Sequence, residues 1–191
     1  MRYCVLALVL ALLSTAGHAR APVFGWVEHA TIEPWGVQVK AKLDTGALTS
    51  SMHAEDIRLF ERENQEWVSF RARLLDQRSG EQVEKEFELP LYRDVQVRGA
   101  GGSDSRPVVL MKLCVGDTVY EEQFSLRDRS NMIYPVLLGR RALQHMGPID
   151  VTQTFVHALG CDADSPVKAY VSTQDDADID AEPDDENGTD R

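Results

Sequence analysis

Apolar residues recur at every second position over long stretches of this chain, and that period constrains the fold more than any other property. Val37, Val39, Ala41 and Leu43 alternate with Gln38, Lys40 and Lys42. Val68, Phe70, Ala72 and Leu74 alternate with Trp67, Ser69, Arg71 and Arg73. Residues i and i+2 share a face of a strand, so such a segment gains a buried apolar face only as a strand. Weaker versions of the pattern predict strands over 23–27, 83–91, 94–98 and 135–138, and a last one over 151–159. Gln77-Arg78-Ser79-Gly80 reads as a turn, and Gly116-Asp117 joins runs 108–115 and 118–126 as a hairpin. Helix is scarce. Residues 54–63 are expected to form a short one, with Ile57 and Phe60 three apart, and 140–146 another, stopped by Gly147-Pro148. Many short strands with closely spaced turn signals predict a single all-β domain, a closed barrel or a sandwich.

The two ends do not share this pattern. Arg2, the apolar run Val5–Leu13 and the small residues up to Ala19 or Ala21 read as a secretory signal peptide over residues 1–21. The run is short for a membrane span, and Cys4 precedes it. A periplasmic location is the expectation. Residues 162–191 hold eleven Asp and Glu against Lys168 and Arg191, a net charge of −9 out of −11 for the 191-residue chain. The acidity therefore belongs to the tail, and from Gln174 onward there is almost nothing apolar to offset ordering entropy. Residues 22–161 are left as the folded domain, nearly neutral and without a basic stripe, which argues against nucleic acid as a partner. With Cys4 in the leader, Cys114 and Cys161 remain. In an oxidising compartment they either pair or stay as two buried thiols.

Most catalytic signatures are missing. The sequence has no phosphate-binding glycine loop followed by Lys, no HExxH and no GxSxG, and the five histidines do not fall at metal-ligand spacing. No metal and no cofactor is expected. What the chain does have is Asp44-Thr45-Gly46-Ala47 directly after the alternating strand 37–43, and Val136-Leu137-Leu138-Gly139-Arg140-Arg141-Ala142-Leu143 some ninety residues later. Asp and Gly favour turns for ordinary reasons, so the triplet by itself is only suggestive.

Together the two segments resemble the retropepsin-like aspartic peptidases. The stretch "KLDTGALTSSMHA" over 42–54 is similar to the motif K-x-D-T-G-A-x-T-S-x-x-H-A of a bacterial retropepsin-like family, and Gly25–Glu28 and Leu126–Arg140 resemble it too. The resemblance covers roughly residues 24–158. It implies a closed β-barrel and an endopeptidase with a peptide or protein substrate. It also implies, by association only, membrane-protein partners of glutamate-ligase-like and transglutaminase-like type, and with them a glutamyl-peptide substrate as the alternative. A barrel module that binds without cleaving is a further alternative. The family has carried the label of an ATP-dependent zinc protease, which the missing nucleotide and zinc motifs do not support.

An aspartic dyad needs two carboxylates sharing one proton, a pairing for which the handling of such sites in aspartic proteases is the standard example. This chain has one Asp-Thr-Gly, since Asp117-Thr118 is followed by Val119. The resemblance therefore implies a homodimer in which each chain gives one Asp44. Thr45 is expected to lock the paired loops, Gly46 to bring its N–H to the carboxylate and Ala47 to keep the cleft floor small. Leu137, Leu138 and Gly139 are expected to pack behind the loop, and Arg140 to brace it or to sit at the surface. Thr49, Ser50 and His53 are read as cleft-lining residues or local caps. The glycine-rich loop with Gly99, Gly101 and Gly102 is the candidate flap, with the turn at 77–80 as runner-up.

Overall fold

The computed structural model describes residues 21–99 and 102–172. Six strands close a barrel: β2 (Val27–Glu33), β3 (Val37–Leu43), β11 (Val136–Leu138), β4 (Ser50–His53), β10 (Thr118–Arg127) and β9 (Gly102–Val115) are bonded in that order, and β9 pairs with both β10 and β2. Closure removes the unpaired strand edges that an open sheet would expose. β8 (Arg93–Gly99) extends the ring beside β9, and β13 (Val167–Lys168) does so beside β10. β5 (Glu55–Arg62), β6 (Gln65–Leu75) and β7 (Gln82–Pro90) form a separate three-stranded sheet, and β1 (Phe24–Gly25) pairs with β12 (Ile149–Asp150). The single α-helix among the described residues is α1 (Arg140–Met146). The all-β, single-domain expectation holds, and the barrel is the closed one.

The period-two pattern has the predicted effect. β3 alternates between buried and half-buried residues along its whole length, with Val39 and Ala41 fully buried. These pack with Ile32, Met52, Phe124 and Val136 in one continuous core. Burial of this apolar surface is what stabilises the barrel. The 108–115/118–126 hairpin also forms as predicted, with Thr118 opposite Val115.

Two segments depart from expectation. Within residues 54–63, where a helix is expected, Glu55–Arg62 form strand β5. Phe60 lies across from Trp67, their rings 6.4 Å apart, and the Arg62 guanidinium covers both. Glu63 and Asn64 both take positive φ, 53° and 60°, which makes the tight hairpin turn that joins β5 to β6. Cross-strand pairing along β6 outweighs a weak local preference for helix. Residues 151–159 form no strand either. The Asp150 carboxylate takes the N–H of Thr152 at 2.9 Å and starts a turn. The fully buried Glu28 carboxylate accepts the N–H groups of Gly25, Val156 and His157 at 2.7, 3.1 and 3.3 Å. A side chain thus satisfies donors that a ladder would have used.

Ordered structure continues into the region that composition assigns to the tail. Cys114 and Cys161 are joined by a disulfide, with Cα atoms 6.1 Å apart. Beyond it β13 lies parallel to β10, and the rings of Tyr170 and Tyr92 meet edge to face at 5.4 Å. Residues 1–20, which hold nearly all of the expected signal peptide, and residues 173–191 lie outside the described residues.

The disulfide closes a 47-residue loop, for which the chain-entropy relation gives about 4 kcal/mol. Reduction is therefore expected to lower the melting temperature by about 10 °C, measured by thermal unfolding with and without a thiol reductant. An unchanged midpoint would show that the bond adds nothing to stability.

Candidate active site

The site is the short connection from β3 to β4, residues 44–49. β3 delivers Asp44 at its end, and the loop is then bonded from outside at almost every step. The Asp44 N–H donates to Leu138 O at 2.8 Å, so the parallel β3–β11 pairing continues to the carboxylate itself. The N–H groups of Arg140 and Arg141 donate to the carbonyls of Ala47 and Leu48 at 2.9 and 3.2 Å. The start of α1 is thereby fastened to the loop. Arg140 adds a guanidinium bond to Thr45 O at 3.0 Å and a longer one to Gly46 O at 3.4 Å. Arg140 is an exposed residue at the helix start whose guanidinium ties to loop carbonyls and, among the described residues, to no carboxylate, so features of both roles read for it are present.

Gly139 sits where no side chain fits. A Cβ there would lie 2.7 Å from Leu48 O and 2.8 Å from the Thr49 carbonyl carbon. These are backbone atoms and cannot swing aside. The Gly139 N–H donates to the buried Ser50 Oγ at 3.1 Å, and Ser50 O accepts from Ser125 Oγ at 3.0 Å. Thr49 Oγ1 accepts from Arg141 Nη1 at 2.9 Å. Ser50 and Thr49 thus act as supports behind the loop, the cap-like reading of these residues. Gly46 places its N–H 3.0 Å from Asp44 Oδ1, and a Cβ on it would stand 3.2 Å from the same oxygen. Thr45 and Gly46 are exposed at the tip.

His53 has a different task from lining a cleft. It is buried, its N–H donates to Pro135 O at 2.8 Å, and its Nδ1 accepts the Arg129 N–H at 2.9 Å. It therefore clamps both ends of the loop 128–135 between β10 and β11. That loop reaches the segment that carries Asp44 through Tyr134, whose ring meets Trp26 edge on at 6.1 Å. Trp26 O in turn accepts the Leu43 N–H at 2.9 Å.

Of the candidate flaps, the β8–β9 hairpin keeps its ladder up to the pair Gly99–Gly102. Gly101 lies outside the described residues. The rival turn at 77–80 is tied to the barrel: Gln77 N–H donates to Gln38 O at 2.8 Å and Gln38 N–H to Asp76 Oδ1 at 3.0 Å. A turn bonded at its base to β3 is poorly suited to opening and closing. Among the described residues no group of three or more His, Cys, Asp or Glu is placed to hold a metal ion.

Sequence reasoning passed over the nearest partner of Asp44. Lys42 Nζ lies 2.8 Å from Asp44 Oδ2. The hydrogen bond from Lys42 holds the Asp44 carboxyl below its ordinary value; partial burial opposes this, and the Gly46 N–H, the Lys42 charge and the Ala47 N–H assist it. The signal was available, because residues two apart share a strand face. In a single chain Asp44 is therefore an ionised carboxylate. Because its folded-state pKa is depressed, its contribution to stability is present above the unfolded value and lost as pH falls through the folded one. Replacing Lys42 by Met is expected to raise the Asp44 pKa, read from the pH titration of its carboxyl carbon by NMR. A titration curve that stays in place would contradict the pairing.

The comparisons with known proteins agree with this geometry. A family model described as RimB-like, retropepsin-like aspartic endopeptidase RimB, matches residues 23–159. A crystal structure of a protein of unknown function from Legionella pneumophila superposes with a TM-score of 0.59 at 32% sequence identity, over 70% of this chain and 96% of that one. A probable alpha-L-glutamate ligase of Shewanella pealeana is 32% identical over 117 residues, 61% of this chain. One of Parasynechococcus marenigrum is 32% identical over 123 residues, 64% of this chain. The chain spans about a quarter of the length of these curated relatives, 25% and 26%. With the model matched along the whole barrel and through both segments that build the Asp44 loop, the chain belongs to the RimB-like family of retropepsin-like aspartic endopeptidases.

Proposed function

We propose that the protein is an aspartic endopeptidase, exported to the periplasm, that works as a homodimer in which two Asp44 carboxylates form one dyad. The observation that carries the reading is the loop itself. A half-buried carboxylate stands at the start of a loop whose tip is exposed, hydrogen-bonded by the Gly46 N–H, on a segment braced by Leu138, Gly139 and Arg140. Aspartic chemistry needs that rigidity and a second carboxylate, and the sequence provides one Asp-Thr-Gly.

In the mechanism, the ionised Asp44 takes a proton from a water that attacks the peptide carbonyl. The protonated Asp44 of the second copy donates to the developing oxyanion. Two like charges at close range cannot both stay ionised, so pairing raises one of the two pKa values. Lys42 beside each carboxylate works the other way. The singly protonated window of this dyad accordingly sits lower in pH than it would without the lysine.

A glutamyl-linkage hydrolase using the same dyad is the second reading. What favours it is that the relatives joined to a matching segment are named probable alpha-L-glutamate ligases. Cleavage of oligoglutamate, with casein-like proteins left intact, would select it.

Asp44→Asn is expected to lower peptide cleavage by at least about 10²-fold, in a mixed-peptide assay run beside wild type. An aspartic-peptidase inhibitor should stop the wild-type reaction and a metal chelator should not. Specific activity should rise with protein concentration below the dimer constant. Cleavage that survives Asp44→Asn, or specific activity that is flat on dilution, would sink the proposal.

A further inference from the structure

Arg129 is a buried cation without a carboxylate. It is 8% exposed. Among the described residues its guanidinium makes one hydrogen bond, from Nε to the Tyr134 carbonyl at 3.1 Å, and no Asp or Glu lies within ion-pair reach of it. Removing most of an arginine from water is costly unless it is paired, and Arg129 Nη1 and Nη2 are not among the sealed side-chain nitrogens left without a partner, so the free end of the fork stays open to solvent and to a ligand. Its surroundings add to the cost. Burial pushes the guanidinium pKa down, and the positive charges of Arg127 and Arg106 push it further in the same direction. Arg106 is engaged by Asp104 at 2.7 Å, on its own strand β9. Among the described residues the anion that favours the charged form of Arg129 is Asp44, which is already held by Lys42 at 2.8 Å.

The position of Arg129 is fixed, not incidental. His53 Nδ1 holds its N–H at 2.9 Å and its carbonyl accepts the Met132 N–H at 2.8 Å. Tyr134, which Arg129 bonds, packs on Trp26 beside the end of β3. A rigid loop thus keeps a planar, five-donor guanidinium, with most of its donors uncommitted, on the side of the barrel where Asp44 emerges. That fork matches a carboxylate in two parallel hydrogen bonds.

We propose that Arg129 is the specificity-determining residue of a carboxylate-binding subsite next to Asp44, filled by an acidic side chain or by the terminal α-carboxylate of a peptide substrate. This rests on the reading of Asp44 as the site of peptide cleavage. The two carboxylate sources share one chemistry and separate in the test. Arg127 and Arg106 strengthen the attraction for the anion, and the electrostatic cost they impose on the empty site is relieved when it binds.

The test uses the full chain carrying Asp44→Asn, so that binding is read without turnover. Its probes are three fluorescent mixed-sequence peptide pools: amidated with a central Glu, amidated with Gln in its place, and the Gln pool with a free C-terminus. A hydrogen-bonded charge is worth enough to make a carboxylate-bearing pool bind about tenfold or more tighter than the amidated Gln pool. Preference for the Glu pool assigns a side chain, and preference for the free C-terminus assigns an α-carboxylate. Adding Arg129→Met should abolish the preference, and Arg129→Lys should restore part of it. Where Arg129→Met does not fold, the Nε–H resonance of Arg129 serves instead, and must shift on addition of the preferred pool. Equal binding of all three pools, a preference that survives in folded Arg129→Met, or an unmoved Nε–H signal would overturn the subsite. Wild-type cleavage of the same pools is read in parallel. Cleavage without carboxylate preference defeats the subsite and spares the peptidase; carboxylate-dependent binding with no cleavage does the reverse.

Discussion

The structure of this site depends on the contact of Gly139 with the loop that carries Asp44. β11 runs parallel beside β3, the Asp44 N–H reaches Leu138 O, and one residue later the backbone of Gly139 passes against the carbonyls of Leu48 and Thr49. Only a residue without a side chain permits that approach. The close passage lets the first N–H groups of α1 bond the loop carbonyls, which would otherwise face solvent or go unmet. The six-residue connecting loop is thereby held by β11 and the start of α1. A group that must hold a water and a carbonyl in reacting geometry requires such definition.

Electrostatics then decides what the positioned carboxylate is. In one chain, the Lys42 hydrogen bond dominates and Asp44 is ionised. A dyad asks for the opposite at one of its two members. The proposed dimer must therefore bring the second carboxylate close enough for like-charge repulsion to exceed the lysine's effect. This competition ties protonation to assembly: separated chains hold two carboxylates, and the paired site holds one proton between them. Arg129 feels the Asp44 charge but makes no hydrogen bond to its carboxylate, which leaves its donors for a different anion in the proposed scheme.

The legible parts of the sequence were those where one local rule decides. Val37–Leu43 follows the strand period, and its faces are buried and half-buried as the pattern states. The turn between β9 and β10 and the stop at Gly147-Pro148 were equally direct. Asp44, Gly46, Gly139 and Arg140 were found because the motif keeps them at fixed positions in the chain. The failures have physical causes. Residues 55–62 became a strand because Trp67 and Arg62 create a cross-strand cluster invisible to a local window. Residues 151–159 lost their ladder to Glu28, a carboxylate more than 120 positions away in the chain. Arg129 was only part of a longer match, because its significance is a missing partner, and absence of a partner is a property of the folded molecule. The pairing of Cys114 with Cys161 likewise needed coordinates.

The most direct test of the shared dyad is a subunit-mixing experiment. Wild-type and Asp44→Asn chains are combined in equal amounts after dilution and reconcentration to exchange subunits, and peptide cleavage is measured against the same total protein of wild type. A site built from one Asp44 of each chain leaves only wild-type pairs active, so cleavage should fall to about a quarter, as random pairing in a two-fold dimer requires. Cleavage at about half the wild-type rate, in proportion to the wild-type chains present, would mean that each chain acts alone and would contradict the account.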